Sequence, residues 1–145
     1  MPSLAIAPIA DADVTDVIAL WQACGLTRPW NDPAADIALA RRGPGSAVLV
    51  GRDGNAIVAT AMVGHDGHRG WVYYVAVAPD RQGQGFGRTM MAAAEDWLRQ
   101  AGVPKLQLLV RRENAKAGAF YQSLGYEEST SVMLAKWLDG REATP

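Results

Sequence analysis

Three glycines at alternate positions, Gly83, Gly85 and Gly87, lie within the run Pro79-Asp80-Arg81-Gln82-Gly83-Gln84-Gly85-Phe86-Gly87-Arg88-Thr89. Their chemistry is anion binding by the main chain. With no Cβ in the way, successive N–H groups can turn toward an oxyanion, and a helix starting behind them adds unsatisfied donors and a positive dipole end. The flanks supply the elements needed to hold such a turn. Residues 71–78 are rich in β-branched and aromatic types, while Phe86, Met90, Ala94, Trp97, Leu98 and Ala101 recur at helical spacing. Strand, glycine turn and helix together predict a pyrophosphate cradle, the alternative being a β-to-α turn without a ligand.

Two common nucleotide loops are excluded by spacing. A dinucleotide fingerprint needs G-x-G-x-x-G and an acidic residue about twenty positions on; here the glycines run G-x-G-x-G, and the later region 105–110 is apolar and strand-like. The triphosphate loop needs a Gly-Lys pair, which the chain lacks. What remains, Gln82-x-x-Gly85-x-Gly87, resembles the Q/R-x-x-G-x-G/A signature of the GNAT superfamily of N-acetyltransferases, which grips the pyrophosphate of coenzyme A in this loop. Asn114-Ala115-Lys116-Ala117-Gly118-Ala119-Phe120-Tyr121, followed by Leu124-Gly125-Tyr126, is similar to that family's second block, N-x-x-A-x-x-F-Y-x-x-x-G-F/Y. Leu20-Trp21-Gln22-Ala23-Cys24-Gly25-Leu26-Thr27-Arg28-Pro29-Trp30-Asn31-Asp32-Pro33 and Asp66-Gly67-His68-Arg69-Gly70 resemble the YpeA branch of small bacterial acetyltransferases.

The resemblance implies a single α/β (α+β) domain over residues 1–138, with a mixed, mostly antiparallel sheet of six to seven strands, about four helices, and a polar tail at 139–145. It implies acetyl-CoA as co-substrate and no metal. Cofactor contacts would come from Val75, Val77, Gln82, Gly83, Gln84, Gly85, Phe86, Gly87, Arg88, Asn114 and Tyr121. Two strands would splay beside the cradle so that the Val77 N–H meets the thioester carbonyl while Val75 engages the pantetheine; the side chains of both read equally well as strand core. A donor aimed at a developing oxyanion is worth roughly 10²–10³ in rate. Tyr121 would protonate or hydrogen-bond the departing sulfur, a phenol near ~10 being close enough to a thiol near ~8.5; otherwise it continues the Phe120 stripe into the core. On the acceptor side, Trp30, Asn31, Asp32 and Tyr73 are the substrate-binding candidates, although Trp30 could merely pin its loop and Asp32 merely cap a helix.

No carboxylate stands on the strand before the cradle, where relatives often keep a glutamate. Substitutes are Glu113, His65, Asp66, or Tyr73 and Tyr74 through a water, or no base if the amine arrives neutral. His65 and His68 in a hairpin turn are weak evidence for metal. Together these features point to direct acetyl transfer to a primary amine, on a small molecule or a peptide or protein N-terminus. The rival is a coenzyme A or acyl-CoA binding module with little turnover.

Composition agrees. At 145 residues and 49% hydrophobic positions the chain suits one core. Neither a leader nor an apolar run long enough to cross a membrane is evident, and one cysteine, Cys24, read as a burial residue, suits a reducing cytoplasm. A net charge of −1 with scattered Lys and Arg argues against nucleic acid and leaves Arg81, Arg88 and Lys116 to face a small polyanion. A homodimer is compatible with the resemblance.

Periodicity predicts strands at 4–8, 47–52, 56–65, 69–78, 105–111, 126–130 and 132–137. Helices are expected over 12–24, from an Asp32 N-cap and Pro33 to about 43, behind the cradle to Gly102, and between Asn114 and Gly125.

Overall fold

Asp53-Gly54 and Asp66-Gly67 turn three apolar runs into a meander, as the hairpin signals require. In the computed structural model, which describes residues 3–142, these runs are β2 (Ser46–Asp53), β3 (Ala56–His65) and β4 (Gly70–Val77). They are preceded by β1 (Ala5–Pro8), α1 (Val14–Ala23) entered through a 3₁₀ turn, and α2 (Pro33–Arg41). A 3₁₀ turn at Pro79–Arg81, α3 (Phe86–Gln100), β5 (Leu106–Gln107) and α4 (Ala115–Ser123) follow. The sheet order is β1-β2-β3-β4-β5, antiparallel except for the parallel β4–β5 pair. The chain divides into two compact units between Leu108 and Leu109.

Within the first unit the sheet is covered on both faces. Val48 and Val50 of β2 and Ala76 of β4 are buried with Val17, Leu20 and Trp21 of α1 and Ile37 and Ala40 of α2. Alternation turns β2's Gly51 the other way, where a Cβ would lie 3.0 Å from Met90 of α3. Phe86, Met90, Met91, Ala94 and Leu98 form the buried stripe of α3. Closest of all is Gly70, where an added Cβ would fall 2.4 Å from Leu98 Cδ1. A bare backbone at the start of β4 therefore lets α3 press directly on the sheet.

Three expectations need correction. The sheet has five strands among the described residues, not six to seven. The strand expected at 105–111 is reduced to Leu106–Gln107, and 126–130 and 132–137 form no strand. A strand is defined by a partner's ladder as well as by β-branched composition, and within the second unit this segment finds none; Val132 and Leu134 are 82% and 92% exposed. Of the expected tail, 143–145 lie outside the described residues, while Arg141 pairs with Asp139.

Candidate active site

β4 meets β5 only at Gly70↔Leu106 and Trp71↔Gln107, so from Val72 onward the edge of β4 away from β3 carries no ladder among the described residues. Ala78 N–H bonds Val58 C=O on β3 at 2.8 Å. Since main-chain groups alternate along a strand, Val77 directs its N–H and C=O to the free side. Its C=O there accepts from the Cys24 thiol at 3.2 Å and from Gln82 Nε2 at 3.4 Å. The structure thus brings Val77 and Gln82 together. It also adds Cys24, half-buried with its thiol pKa raised by burial, which sequence reasoning read only as a burial residue because no local signal joins positions so far apart.

A bulge aims this edge. Tyr73 pairs with Met62 and Ala76 with Thr60, so Tyr74 and Val75 together oppose Ala61. Tyr74 takes a φ of 50°, the left-handed region that non-glycine residues rarely enter. The conformation is held by buried Thr60, whose Oγ1 donates to Tyr74 C=O at 2.9 Å and accepts from Trp21 Nε1 at 2.8 Å. Trp21 stacks on the Tyr74 ring at 3.7 Å, and the Tyr74 hydroxyl donates to Asp36 Oδ2 on α2 at 2.7 Å. Burial first, then the bond and charge of Asp36, drive the Tyr74 phenol far above its ordinary pKa. Tyr74 is therefore a fixed donor and is unsuited to take up a proton. Neither Asp36 nor Thr60 was legible as a site residue, since both act through contacts distant in sequence.

The predicted cradle follows at once. Gly83 and Gly85 have φ of 79° and 82°, and Gly85 is the N-cap of α3. Among the described residues the N–H groups of Gly83, Gln84 and Gly85 have no backbone acceptor, and the first-turn N–H groups of Phe86, Gly87 and Arg88 have none within their own helix. A Cβ on Gly83 or Gly85 would meet no protein atom within 4 Å. Arg88 is exposed and makes no ion pair among the described residues, whereas Arg81 is tied to Asp53. Phe86 points its ring into the core, 3% exposed, leaving only its main chain for a ligand. A string of free donors, open space and one unpaired guanidinium fit a pyrophosphate.

The α1–α2 loop is organised by its own main chain. Arg28 Nη1 donates to Gly25 and Thr27 carbonyls, and Asn31 N–H to Arg28 C=O. Asp32 caps α2 as expected, with Oδ1 accepting from Ala34 and Ala35 N–H. Trp30 is half-buried, and Asn31, Asp32 and Tyr73 are exposed. Of the expected alternative bases, Asp66 is engaged in the β3–β4 turn, accepting from His68 and Arg69 N–H, which lowers its pKa. His65 Nδ1 accepts from Gly67 N–H. Among the described residues no His/Cys/Asp/Glu group could hold a metal.

The second unit carries the Asn114 block. Asn114 Oδ1 caps α4 at Ala117 N–H, and Gly125 ends that helix with a φ of 95°. Tyr121 meets Phe120 and Tyr126 edge to face at 5.0 and 6.0 Å. Burial raises its phenol pKa, so it stays protonated through neutral pH. Glu113 is exposed.

The Acetyltransferase (GNAT) family profile matches residues 14–126. Acetyltransferase YE1169 of Yersinia enterocolitica is 41% identical over 127 residues, covering 88% of this chain and 90% of that protein. Acetyltransferase SG1711 of Sodalis glossinidius is 39% identical over 122 residues, covering 84% and 86%. The crystal structure of the ribosomal-protein-S18-alanine N-acetyltransferase of Escherichia coli superposes with a TM-score of 0.74 at 27% identity, over 88% of this chain and 79% of that one. The freed β4 edge and the open glycine cradle agree with these likenesses: the chain belongs to the acetyltransferase (GNAT) family and is an acyltransferase.

Proposed function

We propose that this protein transfers an acetyl group directly from acetyl-CoA to a primary amine, using a single catalytic domain at 1–138. The observation that carries the reading is the continuity of the unladdered β4 edge with the cradle, five residues separating Val77 from Gly83. When bound, acetyl-CoA supplies an activated thioester carbonyl and a thiol leaving group. The main chain of Gly83, Gln84, Gly85, Phe86, Gly87 and Arg88 holds the pyrophosphate, helped by the Arg88 guanidinium. Gln82 braces the turn against Val77, and Val75 lines the arm's path. The Val77 N–H donates to the carbonyl oxygen as it gains charge. Asn114 and Tyr121 complete the set, Tyr121 as the acid that meets the departing sulfur.

Trp30, Asn31, Asp32 and Tyr73 are assigned to the acceptor; Asp32 Oδ2 is left over from the cap and could meet an ammonium. The bacterial relative whose name specifies an alanine of protein S18 adds weight to N-termini as one acceptor class beside small amines. The rival, a coenzyme A binding module with little turnover, draws on one observation: β4 bears no carboxylate, and Asp66, His65 and Tyr74 are engaged elsewhere. An amine that arrives neutral removes that need. A panel of amines, polyamines, amino acids and peptide N-termini, read by thiol release, decides the matter. Release with at least one is expected; tight coenzyme A binding with no release from any would establish the rival.

A further inference from the structure

Asp36 differs from every other sheltered carboxylate of the described residues. Asp13 has Arg52, Asp53 has Arg81 and Glu95 has Arg99. Asp36, half-buried in the first turn of α2, has no guanidinium or ammonium in ion-pair range among the described residues. Its Oδ2 accepts the Tyr74 hydroxyl at 2.7 Å, and its Oδ1 accepts nothing from the described residues. With no buried side-chain oxygen or nitrogen left unsatisfied among the described residues, this unbonded Oδ1 reaches solvent. The phenol holds the carboxylate in place and leaves its other oxygen open to an incoming cation.

We infer that Asp36, held by the Tyr74 hydroxyl, binds an ammonium group of the acceptor other than the nitrogen that is acetylated. The inference rests on the proposed function and narrows the acceptor to a diamine or polyamine. Direction separates the two nitrogens. Tyr74 rises off the sheet to stack on Trp21 and reach α2, whereas the Val77 N–H lies along the sheet on the free edge. Asp36 therefore stands a tyrosine's length and a hydrogen bond from the Tyr74 main chain, itself three residues before Val77, which suits a nitrogen other than the attacking one. A carbon chain between two amines bridges that separation. The bulge makes the placement specific, because Thr60 fixes the Tyr74 main chain from which the phenol projects.

The test is titration calorimetry on the coenzyme A-bound protein with straight-chain α,ω-diamines of three to six carbons and the monoamines of equal length. One diamine should bind about tenfold or more tighter than its monoamine, with the preference shrinking as salt is raised. Asp36→Asn keeps an acceptor for the Tyr74 hydroxyl and removes the charge, and should bring the preferred diamine to the level of its monoamine. Equal binding of diamines and monoamines by the natural protein, or equal loss of both in Asp36→Asn, would overturn the inference. Because the readout is binding, it is separate from thiol release: a diamine preference without turnover would refute the transferase reading and leave the subsite standing.

Discussion

The bulge of β4 and the glycine turn that follows it treat polar groups in opposite ways. At the bulge the polar groups are chained to one another: Trp21 donates to Thr60, Thr60 to Tyr74 C=O, and Tyr74 to Asp36, whose Oδ1 alone is left over. Among the described residues no buried side-chain polar atom is unsatisfied. At the turn, the N–H groups of Gly83, Gln84 and Gly85 are left without backbone acceptors and face open space. Buried polar groups left unpaired cost about 1–3 kcal/mol each, so the bulge must be closed to exist. The turn can stay open because water serves it. One region is closed on itself, the other faces solvent, and the Val77 main chain lies where they join.

The largest effect expected is on the reaction itself. Tyr121→Phe should lower kcat by roughly 10²-fold or more with little change in acetyl-CoA affinity; a full-rate variant would return Tyr121 to the core. The sign of the pH dependence is fixed by the raised phenol pKa. With Tyr121 as the proposed acid, working protonated, activity should persist past an ordinary tyrosine's ~10 and fall as pH rises through the higher folded value, and Tyr121→Phe should lose that limb.

Opening the comparison at the turn comes next. Gly87→Glu should weaken coenzyme A binding by about 100-fold, two factors of ten at 1.4 kcal/mol each, while leaving the melting temperature nearly unchanged. Gly87 is the better probe because the positive φ of Gly85 would add strain to any side chain. Breaking the bulge should do the reverse. Thr60→Val strands Trp21 Nε1 and Tyr74 C=O together and should cost about 2–4 kcal/mol by denaturant unfolding, with Thr60→Ser recovering most of it. If Thr60→Val melts normally, the bulge is not held as described. Smallest is the cap: Asp32→Ala should cost about 1 kcal/mol and Asp32→Ser a few tenths, with the acceptor KM rising in both only if Oδ2 meets the amine.

Motif and local chemistry made much of this readable from the chain. The glycine turn, the Asp32 and Asn114 caps, and the β2–β3–β4 meander depend on neighbours within a few residues, and all stand where spacing put them. The bulge was invisible because its cause lies in Thr60 and Trp21, 14 and 53 residues from Tyr74 in sequence, and nothing in Tyr73-Tyr74-Val75 announces a positive φ. Cys24 against Val77 and Asp36 against Tyr74 were hidden for the same reason. The expected strands at 126–137 failed for the complementary one: β propensity is local, but the ladder that makes a strand is not.

The central claim is that free main-chain donors of the turn and of Val77 hold acetyl-CoA. Amide ¹H–¹⁵N spectra recorded during a coenzyme A titration test it directly. Gly83, Gln84, Gly85 and Gly87 should shift downfield and gain protection from exchange with coenzyme A alone, and Val77 should follow when acetyl-CoA replaces it, while Thr60 and Tyr74 at the closed bulge should move least. Saturation of the protein with these turn amides unshifted would contradict the account.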